Sequence, residues 1–151
     1  MIKVGILELQ GDFELHHNIL RELGYTSFSV KESTDLENLD GLIIPGGEST
    51  TMSLLIDSFN LRKSILDFSK ENPILGTCAG LILMARAIED ESKVNPLGIL
   101  DIEVSRNAYG RQIMSRKENI TIESDSKAFD IEVTLIRAPK ILKINKNINV
   151  I

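Results

Sequence analysis

The sequence predicts an α/β sandwich, a mostly parallel central sheet with helices on both faces. Three observations lead there. Short β-branched and leucine runs alternate with longer helical stretches through the first half of the chain. Two of those runs end in glycine-rich turns, Pro45-Gly46-Gly47 and Gly76-Thr77-Cys78-Ala79-Gly80. The stretches between the runs are long enough for crossover helices, which implies βαβ units and a parallel sheet. In such sheets the ligand site lies at the carboxyl ends of the strands.

Taken in order, Ile2 to Leu7 reads as the first strand, leading through Gln10-Gly11 into a helix over Glu14 to Leu23 in which Leu15, Ile19, Leu20 and Leu23 share one face. Gly24 stops that helix. Phe28 to Val30 and Gly41 to Ile44 read as the second and third strands, and Met52 to Lys70 as helical material around Asn60. Ile74-Leu75 is a fourth strand, followed by a helix from Ala79 to Glu89. Beyond Pro96 the pattern turns to strands at Leu97 to Val104, Ile120 to Ile122, Ile131 to Ile136 and Ile141 to Ile144, added to the sheet or folded over its edge. No Gly/Ser/Pro-rich linker marks a boundary, so residues 1–151 are expected to form a single domain.

With 151 residues, 42% of them hydrophobic, the chain is long enough to bury a core of its own. A net charge of -5 with scattered Lys and Arg offers no stripe for a phosphate backbone, which argues against nucleic acid. The single Cys excludes an intrachain disulfide and a Cys-based metal site, and points to a reducing cytoplasm. The N-terminal run has no signal-peptide core, and the apolar stretch Leu81 to Ala85 is cut by Arg86, so a membrane is not expected.

The chemistry concentrates at Cys78. A small residue two before and two after a nucleophile, between an apolar strand and a helix, is the nucleophile elbow, a turn so tight that flanking side chains would clash. A helix start beneath the sulfur is expected to favour thiolate and lower its pKa. The backbone N–H of Ala79 would then face a developing oxyanion. A lone thiol in an arbitrary protein is more often buried and inert, and it is the elbow that reverses those odds. Leu42-Ile43-Ile44-Pro45-Gly46-Gly47-Glu48-Ser49-Thr50 also closes an apolar strand, and its two glycines can turn an N–H toward a ligand as the second oxyanion donor. Taken alone, this could be an ordinary strand-to-helix turn capped by Ser49 or Thr50. It is not a phosphate loop, because no G-K-[ST] ending follows.

Together these stretches resemble the class I glutamine amidotransferases, and within them the glutaminase subunit of pyridoxal 5'-phosphate synthase. The runs that carry the resemblance are Gly5 to Gly11, Asp40 to Met52, Gly76 to Leu83, Arg106-Asn107-Ala108-Tyr109-Gly110-Arg111-Gln112 and Ile136-Arg137-Ala138-Pro139. Glutaminases of other pathways share the elbow but not the Gly-Gly-Glu-Ser-Thr-Thr and Arg-Asn-Ala-Tyr-Gly-Arg-Gln runs. The resemblance implies the flavodoxin-like amidotransferase fold, here C-terminally incomplete, and hydrolysis of L-glutamine to L-glutamate and ammonia. It makes Cys78 the nucleophile, with the oxyanion held by amides of Gly46, Gly47 and Ala79. Gln10, Gly46, Gly47 and Glu48 would line the glutamine site, Arg106 would meet the substrate α-carboxylate, and Ile136 and Arg137 would complete the pocket. Guanidinium suits a carboxylate better than ammonium does. No metal or organic cofactor is implied. The implied partner is the barrel-shaped synthase subunit, which receives the ammonia, and Gln10 would help to order the oxyanion loop when that partner docks.

The family carries its general base and the acid that orients it in a His-Pro-Glu run near the C-terminus, and no His follows Cys78 here. The expectation is a shortened or divergent member. By the resemblance His16 matches a partner-contact or structural position rather than the catalytic one, and the face of the first helix that carries His16 and His17 is expected to be solvated or to dock the partner rather than to supply the base. A rival is a non-catalytic subunit that keeps the glutamine pocket or the docking surface. A second is a cysteine hydrolase of similar fold acting on another acyl substrate, which would leave the Arg106 to Gln112 run unexplained.

Overall fold

In the computed structural model the described residues are 2–89, 93–106, 116–124, 127–135 and 138–150. Strands β1 (Lys3–Leu7), β2 (Thr26–Val30), β3 (Gly41–Ile44) and β4 (Ile74–Gly76) form a parallel sheet in the order β2-β1-β3-β4. Helix α1 (Phe13–Glu22) joins β1 to β2, while α2 (Ser49–Ser58) and α3 (Leu61–Phe68) join β3 to β4. Because β2 and β4 lie on opposite sides of the β1-β3 pair, right-handed crossovers put α1 on one face of the sheet and α2 and α3 on the other. The α/β sandwich and its parallel sheet are as the sequence predicts.

The core sits on the α2–α3 face. Met52, Ile56, Leu61 and Ile65 are completely buried against Leu7, Val30, Leu42 and Ile44 of the sheet, and each such side chain contributes about 1.5–3 kcal/mol. The α1 face is thinly covered. No residue of α1 is fully buried, and the face expected from Leu15, Ile19 and Leu23 stands 62%, 53% and 65% exposed. Beside it an apolar groove of about 320 Å³ runs between Ile2, Val4, Leu20, Ile43 and Leu75.

The expected helix over 52–70 is two helices beginning earlier, at Ser49. The break falls at Asn60, whose φ of 56° is left-handed, a conformation Asn tolerates better than most residues. Arg62 spans the break with two bonds to Asp57, 2.5 and 3.0 Å. A 3-10 turn at Ser33–Leu36, which no periodicity signals, fills the β2–β3 connection and buries Leu36.

The expected helix from Ala79 to Glu89 is corrected. Helix α4 stops at Met84, and Ala85–Ile88 becomes β5. Here the Leu83 carbonyl accepts from the Leu97 N–H (2.6 Å) and the Ala85 carbonyl from the Gly98 N–H (3.1 Å), so the bonds that would extend the helix are taken by another segment. Strand β5 runs parallel to β6 (Leu100–Ser105), which pairs antiparallel with β9 (Lys140–Ile144). β7 (Arg116–Ser124) and β8 (Lys127–Leu135) form a separate antiparallel ribbon. No helix among the described residues is long and apolar enough to cross a membrane.

Candidate active site

Register positions the site. Ile44 pairs with Gly76, so the glycine turns that follow β3 and β4 begin level with each other at one edge of the sheet. Cys78 sits in the second turn with φ 50° and ψ −101°, a backbone state that costs a non-glycine residue on the order of 1–3 kcal/mol and persists only where its surroundings impose it. They do so through Thr77. Its N–H donates to the Ile44 carbonyl (3.1 Å) and its carbonyl accepts from the Gly80 N–H (2.9 Å). The flanking glycines are required by space. A Cβ on Gly76 would stand 2.7 Å from the Gly80 carbonyl carbon, and one on Gly80 would overlap the Ile44 carbonyl oxygen.

The first glycine turn closes against this elbow. A Cβ on Gly46 would lie 3.5 Å from the Cys78 Cβ and 3.9 Å from Asp12 Oδ2. The Gly46 carbonyl accepts from the Asp12 N–H at 2.9 Å, an approach made possible by Gly11, whose φ of 108° and missing side chain clear the way. Gln10 Oε1 accepts from the Glu48 N–H (2.8 Å) and crowds Gly47, where a Cβ would come within 2.7 Å of it. Residues 10–12 therefore brace the Gly46-Gly47-Glu48 turn from the β1 side. Glu48 in turn caps α2: its carboxylate accepts from the Thr50 N–H (3.1 Å), the Thr51 N–H (2.7 Å) and the Thr51 hydroxyl (2.7 Å). Burial alone would raise its pKa, but these bonds outweigh it and hold the carboxyl below its ordinary value.

Cys78 is exposed, as the nucleophile role expected of it requires. Its thiol, however, is pushed above its ordinary value, foremost by desolvation; the Ala79 N–H on the sulfur pulls the other way, and the Asp12 carboxylate pushes further up. This corrects the expectation of a lowered pKa. Helix α4 is a short six-residue segment, and the acid contributed by the β1–α1 turn opposes its dipole. The thiol is therefore the resting form.

The two histidines make contacts within the fold, and of the partner-contact and structural roles expected for His16 the bond it makes is a structural one. His17 is clamped between Glu8 Oε1 and Ser27 Oγ, both at 2.6 Å. His16 Nε2 lies 3.2 Å from Thr77 Oγ1, next in sequence to Cys78. Desolvation lowers the pKa of His16, with nearby His17 adding to the effect and Asp12 opposing it, so the ring is neutral near pH 7.

The profile of the SNO glutamine amidotransferase family matches residues 6–151. The chain belongs to that family. It is 44% identical to "Pyridoxal 5'-phosphate synthase subunit PdxT" of Oenococcus oeni over 150 residues, which are 99% of this chain and 77% of the relative. Proteins of the same name from Brevibacillus brevis (43% identical; 97% of this chain, 75% of theirs) and Thermosipho africanus (40%; 99% and 79%) are similar to it too. Among solved structures, one described as a glutamine amidotransferase superposes with a TM-score of 0.85 at 35% identity, covering 95% of this chain and 75% of its own. The flavodoxin-like fold of the class I amidotransferases is the fold of this chain.

For an SNO family member, the structure brings Cys78, Ala79, Gly46, Gly47, Glu48 and Gln10 to one edge of the sheet. Arg106 follows β6, half-buried, and its Nη1 donates to Thr50 Oγ1 at 3.1 Å. That bond stations the guanidinium at the first turn of α2, two residues beyond Glu48. Ile136, Arg137 and residues 107–112 lie outside the described residues. Sequence reasoning missed Asp12, Thr77 and Thr50. Asp12 carried a usable signal, because it follows Gln10-Gly11 at the carboxyl end of β1, where a parallel sheet gathers its ligand groups.

Proposed function

We propose that the chain is the glutaminase subunit of a pyridoxal 5'-phosphate synthase, hydrolysing L-glutamine to L-glutamate and ammonia through a γ-glutamyl thioester on Cys78. The observation that carries this is the exposed, backbone-strained Cys78 with the Ala79 N–H on its sulfur and the Gly46-Gly47 turn alongside. The Cys78 thiol first gives up its proton to solvent water, which returns one to the departing nitrogen. Sulfur then attacks the γ-carbonyl carbon, and the oxyanion is held by the amides of Ala79 and the Gly46-Gly47 turn, a type of contact worth roughly 10²–10³ in rate per donor. The C–N bond breaks as nitrogen takes a proton and leaves as ammonia. Water then cleaves the thioester, releasing glutamate and restoring the thiol. Glu48 and Arg106, joined through the first turn of α2, are suited to the substrate's α-ammonium and α-carboxylate respectively, and Ile136 and Arg137 would complete the pocket. Relatives named as synthase subunits support a partner that consumes the ammonia, namely the barrel-shaped synthase subunit.

One observation favours a second reading, a glutamine-binding or docking subunit that acylates without turnover. His16 and His17 are the chain's two histidines, and their ring nitrogens meet Thr77, Glu8 and Ser27 rather than the Cys78 sulfur. Glutamate formation from glutamine, measured for the chain alone and with the synthase subunit, tests both. Turnover that vanishes in Cys78→Ala supports the glutaminase. Glutamine-dependent acylation of Cys78 that stops after a single equivalent of ammonia, with no continuing release of glutamate, supports the docking subunit, and indifference to glutamine under both conditions contradicts both.

A further inference from the structure

Among the described residues three bonds hold Thr77, the residue that delivers the chain into the elbow. Two are backbone bonds, to Ile44 and from Gly80, and belong to the sheet and the turn themselves. The third comes from a helix sixty-one positions earlier in the chain: His16 Nε2 to Thr77 Oγ1, 3.2 Å, with both residues half-buried. Nothing in the thioester chemistry uses this contact. His16 does not touch the sulfur, yet it grips the residue whose placement fixes the Cys78 backbone at φ 50°. The same α1 segment also holds the first glycine turn, through the Asp12 N–H and the Gly46 carbonyl. One segment thus touches both turns that build the site.

We propose that His16 is a positioning residue for the nucleophile: its bond to the Thr77 hydroxyl ties α1 to the elbow and keeps Cys78 where the Ala79 N–H meets the sulfur. The assignment deepens the glutaminase reading and rests on it for its catalytic meaning. Physically, losing the bond frees the Thr77 side chain and lets the strained Cys78 backbone relax. The sulfur then loses the N–H contact that favours thiolate, and the thiol becomes harder to ionise. The ring acts as a neutral hydrogen-bonding group. The charged or titratable groups that bear on it are Asp12 and His17, and Asp12 also bears on Cys78.

The test is the pH profile of Cys78 alkylation by iodoacetamide in the wild-type chain, His16→Phe, Thr77→Val, the double variant and His16→Gln. Thr77→Val removes the bond without touching any ionisable group, and His16→Gln keeps a polar nitrogen near the position of Nε2. The expected result is an upward move of the alkylation midpoint by about 0.5 pH unit in each single variant, from loss of one neutral hydrogen bond. The double variant moves no further, and His16→Gln restores the wild-type midpoint. A purely structural role would lower the melting temperature and leave the midpoint in place, which overturns the proposal. So does a shift in His16→Phe without one in Thr77→Val, or single shifts that add in the double variant. A parallel arm with L-glutamine present separates the two levels. If glutamine fails to slow wild-type alkylation, the substrate reading falls, while the midpoints still decide the role of His16.

Discussion

A methyl group at Gly80 would meet the Ile44 carbonyl oxygen, an atom fixed in the sheet by its bond from Thr77. Gly80→Ala is therefore expected to destabilise the fold by about 2–4 kcal/mol, because neither the strand nor the elbow can give way. Gly24→Ala is the control. No atom of the described residues lies within 4 Å of its added Cβ, and among them only the left-handed φ of 80° resists it, at about 1–2 kcal/mol. Urea denaturation midpoints of the two variants distinguish steric refusal from backbone cost. The need for glycine at 76 and 80 was legible in the sequence, because the elbow pattern is a statement about space around one residue. The direction of the Cys78 pKa was not. It depends on Asp12 and on crowding at the sulfur, and both arise from the way β1 and β4 are brought together. His16 was placed on the right helix as a partner-contact or structural residue, but its particular bond to Thr77 was not legible, since that contact needs the whole β1-β3-β4 register to exist first.

Among the elements, α2 is where stability and the proposed glutamine binding share one group. Glu48 caps it through the Thr50 and Thr51 amides, so Glu48→Ala should lose roughly 1 kcal/mol of stability, as cap removal does, and weaken glutamine binding beyond that. Glu48→Gln keeps acceptor oxygen for the cap and should recover stability more than glutamine affinity. Thermal unfolding and glutamine protection of Cys78, measured on both variants, check the split. The strands of the parallel sheet were readable because each is a short apolar run bounded by turn residues. Helix α4 was overextended because Leu81 to Ala85 is continuously apolar, a pattern that fits a buried helix and a buried strand equally. What ends it is the backbone of Leu97 and Gly98 taking the carbonyls of Leu83 and Ala85, a competition invisible to local periodicity. The Asn60 break was half-visible, since Asn is a natural left-handed residue, yet neither the split nor the start at Ser49 followed from apolar spacing alone.

For the molecule as a whole, the carboxylates set the acid limit. Asp67, beside Lys63 and Lys70, is held down to about 2 from an ordinary 3.8. Asp57 lies below its ordinary value through Arg62, and Asp101 through Arg86. Glu8 is lower despite burial, which opposes the shift, because Ser29, His17 and Lys31 bond to it. In every case the folded pKa lies below the unfolded one, so the unfolded chain binds more protons as pH falls. The stabilisation they give is complete above the ordinary carboxylate range and drains as pH drops from about 4.5 toward about 2. Urea titrations across that interval should show the midpoint falling steadily, with a shallower fall in Asp67→Asn. The sandwich, and the gathering of its two glycine turns at the carboxyl ends of the strands, were legible at this scale because crossover connections fix where strand ends gather. The exposed apolar face of α1 was not, since helical spacing reveals an apolar stripe without revealing what covers it.

The central claim is that the Cys78 sulfur, raised on its elbow, attacks the side-chain carbonyl of glutamine. Mass spectrometry of the chain after exposure to a glutamine-like diazoketone tests it most directly. The account predicts a single adduct on Cys78 that forms more slowly when L-glutamine is added and is lost in Cys78→Ser. An adduct that forms at the same rate with and without glutamine, or no adduct on a thiol that iodoacetamide readily alkylates, would contradict it.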